Sequence, residues 1–193
     1  MDNKENKNIK SYIIIAVCCV VALVIGLFAG NILAAKRKIA AAEKYIAGIN
    51  AKIEEGRDYW YAFNGKEKDN EKAEELFREV IETADKAEAW YYLGEIQRNK
   101  NDYEKAITSY ENAIERGSEL ARYALGFMYQ HGLGVEADYD KAEELFNQAI
   151  SNGCLEANNG FGDFYQSAYG KYEADGAKAI EYFEKAATGQ EPE

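Results

Sequence analysis

The feature that most constrains this chain is a helical unit of about 36 residues that recurs along it. Gly117, Gly153 and Gly189 stand at intervals of 36 and 36, each behind an amphipathic stretch. The unit is clearest in ELARYALGFMYQHGLGVEADYDKAEELFNQAISNG, Glu119 to Gly153. Leu125, Phe127 and Met128 surround Gly126, and Tyr129 follows that glycine by three. After a turn at Gly132 and Gly134, a second apolar stripe runs through Ala142, Leu145, Phe146 and Ala149. Both stripes have the three-and-four spacing of an amphipathic helix, and the glycines between them break the period. A helix–turn–helix pair of this kind leaves one apolar side open. It must stack on copies of itself.

The copies are present. Ala142 has counterparts at Ala106 and Ala179, and Ala149 at Ala113 and Ala186. Leu93-Gly94, Leu125-Gly126 and Phe161-Gly162 mark the first helices, and KAEELF occurs at both Lys72–Phe77 and Lys141–Phe146. The small residues Gly94, Gly126, Ala106 and Ala142 are expected where two helices touch and no larger side chain fits. Gly117, Gly153 and Gly189 suit the left-handed end of a second helix.

These residues resemble the tetratricopeptide repeat family. From Lys86 to Ser118, Trp90, Leu93, Gly94, Ala106, Tyr110 and Ala113 fall at its spacing. The stretch from Ala121 to Gly153 is similar to the Sel-one-like branch, whose longer turn is matched by Gly132, Gly134, Val135, Asp138, Tyr139, Lys141 and Ala142. Two departures stand out. Glu136 occupies a position where that branch often has proline, and the copy before Lys72 lacks the Leu-Gly pair. The resemblance covers roughly residues 58 to 189 and implies an all-α solenoid of about 3.5 to 4 repeats. It also implies binding, with the first helices lining a groove for a partner segment. The groove positions would be Tyr91, Glu95 and Arg98, then Tyr123, Phe127 and Gln130, then Asn159, Asp163 and Gln166. They contain no lysine of the kind that clamps a terminal carboxylate in one family subtype.

At the other end, residues 1–11 are polar, and residues 12–35 carry no charge. At ~1.5 Å rise per residue, about 20 residues span a bilayer core, so this stretch predicts a single transmembrane helix. A cleaved signal peptide would have a shorter apolar region, of about 7 to 15 residues. Lys4, Lys7 and Lys10 flank one side and Lys36, Arg37, Lys38 and Lys44 the other, which nearly ties the positive-inside rule. The short lysine-bearing tail favours repeats outside the cytoplasm. Ala22, Gly26, Gly30 and Ala34 place a small residue at every fourth position, a pattern that lets two spans pack and predicts a homodimer. Residues 36–57 carry Ile39, Ala42, Ile46, Ile49 and Ile53 at spacings of three and four. That seam serves either a coiled coil or a cap on the first repeat. Residues 58–193 form the repeat domain.

Charge narrows the partners. Beyond Ala35 the net charge is −12, since the first 35 residues hold three of the 23 basic and two of the 34 acidic side chains. Such a field repels phosphate backbones and points to a polar or basic protein segment rather than nucleic acid. Cys18 and Cys19 lie in the apolar stretch, so Cys154 has no intrachain disulfide partner in the remainder.

Catalytic chemistry is hard to find. His131 is the only histidine, beside the turn glycine Gly132. Gly132-Leu-Gly134 and Gly160-Phe-Gly162 lack the third glycine and the preceding strand of a dinucleotide loop. Glu74-Glu75 and Glu143-Glu144 are adjacent on helices and so face different directions. The sequence therefore predicts a membrane-anchored interaction scaffold or adaptor, without enzyme activity, cofactor or metal. The alternative is an accessory factor in membrane-protein biogenesis or export.

Overall fold

The computed structural model describes residues 32–188. Among these residues there are eight α-helices and no strand, an all-helical repeat solenoid. The chain divides into two compact units, one ending at Tyr92 and the other beginning at Leu93.

In the first unit, α1 (Ile32–Tyr61) and α2 (Asn70–Ala84) form an antiparallel pair, and α3 (Ala87–Asn99) begins. The α1 face toward α2 is marked by three contacts. The Tyr45 hydroxyl donates to the Thr83 carbonyl at 2.8 Å, Lys52 pairs with Glu79, and Gly56 lies against the Phe77 ring. Ile49 and Ile53 lie on that face and are buried. Half of the isoleucine seam is therefore covered from within the chain. Ile39, Ala42 and Ile46, toward the start of the helix, are only partly buried. Phe77 also stacks on Tyr92 at 5.0 Å. The α2 end is closed by Asp85, in the left-handed region at φ 48°, whose carboxylate accepts from the Trp90 indole at 2.8 Å.

In the second unit, the rest of α3 is followed by α4 (Tyr103–Glu115), α5 (Glu119–His131) and α6 (Tyr139–Ser151). A short 3-10 turn, Leu155–Ala157, then leads into α7 (Asn158–Ser167) and α8 (Gly176–Thr188). Ala106, Tyr110 and Ala113 on α4, and Ala142, Phe146 and Ala149 on α6, are fully buried, as the stripes require. Gly117 and Gly153 take φ values of 90° and 92°, the left-handed ends expected of them. Gly189 lies outside the described residues, as do Ala22, Gly26, Gly30 and most of residues 12–35; Ala34 is described, partly buried near the start of α1. Among the described residues no helix is long and apolar enough to cross a membrane.

The two KAEELF copies build the same local structure. Asp69 and Asp138 cap their helices by accepting from the Lys72 and Lys141 amides, both at 2.9 Å. Lys72 pairs with Glu75 and Lys141 with Glu144 one turn on. The cap residues also close the preceding turn: the Asp69, Asp138 and Asp175 amides donate to the Tyr59, Tyr129 and Tyr165 carbonyls at 2.9–3.0 Å. In the short-turn copy the Asp102 amide does the same to Gln97. Each of those acceptors lies three residues past a helix glycine.

Those glycines set the helix spacing. A Cβ on Gly56 would lie 2.8 Å from Phe77, on Gly94 2.6 Å from Tyr110, and on Gly126 2.6 Å from Phe146; on Gly162 it would collide with Phe183. The first copy thus has its glycine after all, Gly56, preceded by Glu55 instead of leucine. The Glu55 side chain is exposed and pairs with Lys66 at 2.9 Å.

The contact can be tested by opposite signs. Gly48 on exposed α1 has nothing within 4 Å of an added Cβ. Gly48→Ala should stabilise by about 0.5–1 kcal/mol through helix propensity alone. Gly94→Ala gains the same propensity but overpacks a fully buried ring, a cost of ~1–3 kcal/mol. Denaturant titrations should show it to be net destabilising. A stabilised Gly94→Ala variant would remove the steric account.

Candidate protein-binding face

Three positions around each helix glycine form the candidate face: three residues before it, one after and four after. Tyr91, in the first unit, is half-buried with its ring 5.1 Å from Tyr92. The other eight residues lie in the second unit.

On α3, Glu95 is fully engaged. One carboxylate oxygen accepts from the Tyr110 hydroxyl at 2.6 Å and the other from Arg98 at 2.7 Å. The Arg98 guanidinium lies 5.4 Å from the centre of the Phe127 ring on α5. Phe127 stacks on His131 one turn later, ring centres 4.0 Å apart, and His131 Nδ1 is 3.1 Å from the Phe127 carbonyl. The His131 ring meets Tyr169 edge-on at 6.0 Å, and Tyr169 stacks on Tyr139 at 5.3 Å. A continuous polar–aromatic row results: Arg98, Phe127, His131, Tyr169, Tyr139.

Beside it stand Tyr123, Asn159 and Asp163. Tyr123 leans on the core ring of Phe146 at 5.8 Å, and Asn159 lies close enough to act on its hydroxyl. Burial raises the Tyr123 pKa, with the Asp163 charge adding to the effect. Asp163 is half-buried on α7. Burial pushes its carboxyl above the ordinary range, opposed by His131. Among the described residues it has neither a hydrogen bond nor an ion pair.

Gln130 does not belong to this face. It is only 1% exposed, inside the α5–α7 contact, where its amide donates to the Gly160 carbonyl at 3.3 Å. The bare Gly160 backbone lets that carbonyl come within reach. Gln166 is fully exposed at the far end of α7. The structure therefore brings together Glu95, Arg98, Tyr123, Phe127, Asn159 and Asp163, while Gln130 is interior.

Sequence reasoning passed over two members of the aromatic row. One is His131, beside the turn glycine Gly132, although Phe127 and His131 at i and i+4 must share one helix face. Tyr169 lies in the α7–α8 turn, after the left-handed Ala168, and no periodicity marks it. Cys154 is buried, and burial with the Glu156 charge pushes its thiol up to about 12, far from a reactive thiolate. Among the described residues no cluster of histidine, cysteine, aspartate or glutamate is arranged to hold a metal ion.

Comparison with known proteins agrees with this architecture. The Sel1 repeat model matches residues 56–79, 120–154 and 156–190, and the tetratricopeptide repeat model matches 87–117. The chain belongs to the Sel1-like branch of the tetratricopeptide repeat superfamily. The split follows turn length, since residues 100–102 join α3 to α4 while the α1–α2, α5–α6 and α7–α8 turns are longer. A solved relative is a protective antigen of uropathogenic Escherichia coli strains displaying an SLR fold. It is 29% identical with a TM-score of 0.56, covering 77% of this chain and 32% of that one. Curated relatives are the ERAD-associated E3 ubiquitin-protein ligase components HRD3 of Candida glabrata, 37% identical over 54 residues, and HRD3B of Arabidopsis thaliana, 32% over 96. Those matches take in 28% and 49% of this Sel1-repeat chain, but only 6% and 14% of the relatives' length.

The raised Asp163 pKa gives a prediction with a definite sign. A carboxyl whose folded pKa exceeds its unfolded value holds its proton more tightly when folded, so its ionised form opposes folding. The penalty is absent below the unfolded pKa and present once pH rises past the folded one. Asp163→Asn should therefore raise the melting temperature modestly at pH 7, with the gain shrinking toward about pH 4. Calorimetry showing a lower melting temperature at pH 7 would contradict this reading of the site.

Proposed function

We propose that this Sel1-repeat protein is a membrane-anchored adaptor that holds a polar or basic segment of a protein partner on the exposed face of α5 and α7. The observation that carries the reading is the half-buried set Tyr123, Phe127, Asn159 and Asp163. It offers ring faces, an amide and an unpaired carboxylate on one surface. Rigid rings supply contact area at low conformational cost, and the polar groups set register. Such a site binds; it offers no nucleophile with an adjacent base. The HRD3 relatives are components of a ligase assembly, which supports a role as an assembly component here.

In this reading the apolar residues 12–35 tether the chain, the repeats face outward from the cytoplasm, and the net charge of −12 beyond Ala35 draws basic segments in.

Replacing Phe127 with a photo-reactive phenylalanine analogue in native membranes should crosslink a discrete protein partner. The same analogue at Asn147, exposed on α6, should not. With that partner in hand, Phe127→Ala should weaken binding at least tenfold, about 1.4 kcal/mol, without unfolding the chain. Equal crosslinking from both positions, or unchanged affinity, places the binding surface elsewhere.

A further inference from the structure

In the second unit, the residue that follows each first-helix glycine is Glu95, Phe127 or Asp163. These three have different fates. Glu95 is answered twice inside the chain, by the Tyr110 hydroxyl and by Arg98. Phe127 already carries a cation, with the Arg98 guanidinium 5.4 Å from its ring centre. Asp163 is half-buried like Glu95 but has no hydrogen bond and no ion pair among the described residues.

A carboxylate partly withdrawn from water without a partner loses hydration that a cation from outside the chain can replace. Its neighbours narrow what that is. His131 and Tyr123 are close enough to interact with its charge, and Asn159 lies one turn earlier on the same helix. The His131 ring is stacked on Phe127, and Asn159 lies beside Tyr123. Arg98, the cation over the Phe127 ring, is committed to Glu95. Its neighbours are thus rings and an amide, and His131 is the group whose charge favours the ionised carboxylate.

We propose that Asp163 is the receptor for one lysine or arginine side chain of the partner segment, with Tyr123, Phe127 and His131 flanking its stem. This rests on the adaptor reading above and adds the residue class that the face selects. The incoming cation forms a charge-assisted hydrogen bond with the carboxylate. Aromatic faces favour the same charge, as the Arg98–Phe127 contact illustrates. The net negative charge of the chain steers the segment but cannot choose its register; a single partly desolvated carboxylate can.

The probe is a fluorescein-labelled hexapeptide of alternating lysine and serine, with a second peptide in which norleucine replaces each lysine. Anisotropy titrations use the full chain in detergent micelles at low salt. Wild-type protein should bind the lysine peptide, and Asp163→Asn should weaken it at least fivefold. Glu111→Gln removes the same charge from an exposed position on α4 and should change affinity less than twofold. The norleucine peptide should not bind. Equal losses in the two variants would reduce the effect to the general field and overturn the proposal. Equal binding of the norleucine peptide, or no binding of the lysine peptide, would overturn it as well. Retention of the Phe127 crosslink in an Asp163→Asn chain would show that the adaptor face stands even where this receptor fails.

Discussion

An aromatic ring packed against a bare stretch of helix backbone is the contact on which this structure depends. In each helix pair a glycine on the first helix removes the side chain that would hold the second away. The ring of Phe77, Tyr110, Phe146 or Phe183 fills the space. The gain is dispersion and apolar burial over a large flat surface; the cost is the conformational freedom of glycine within a helix. Phe146 is used twice, since an added Cβ on Gly160 of the following copy would also meet it. One residue thus joins its own pair to the next, which is how a solenoid propagates through nearest neighbours.

From that spacing the rest follows locally. A fixed distance between helices lets the amide of the cap aspartate reach the carbonyl three residues past the glycine, so the turn closes in the same way whether short or long. Turn length is then free to vary, and it is what separates the tetratricopeptide copy from its Sel1 neighbours. The face that carries Asp163 and Phe127 is a consequence as well. The residue after each glycine is carried next to the ring contact, at the edge of the core, where half-burial is enforced.

Much of the fold was legible because the constraint is written in residue type at fixed spacing. Gly94, Gly126 and Gly162 with their alanines located three pairs directly. The first pair was harder to see, because Glu55, with its side chain exposed, stands where leucine was expected. On α1, Ile49 and Ile53 are buried, but sequence cannot say what covers such a stripe; it looks the same whether the partner is α2 or a second chain. The site was legible only in part. Position relative to the glycine placed Tyr123, Phe127, Asn159 and Asp163 near one another. The same rule misplaced Gln130, because its exposure depends on the following copy, whose Gly160 brings a carbonyl within reach. Tyr169 joins the aromatic row through a turn, where no period exists to reveal it.

The central claim is that glycine and ring act as one element, and a double-mutant cycle on Gly126 and Phe146 tests it most directly. Gly126→Ala, Phe146→Leu and the double variant would be compared with wild type by denaturant titration. The smaller, flexible leucine should make room for the new methyl group, so Gly126→Ala should cost at least about 1 kcal/mol less in the leucine background. Additive effects within ~0.3–0.5 kcal/mol would mean that the two residues are independent, and that something other than this contact sets the helix spacing.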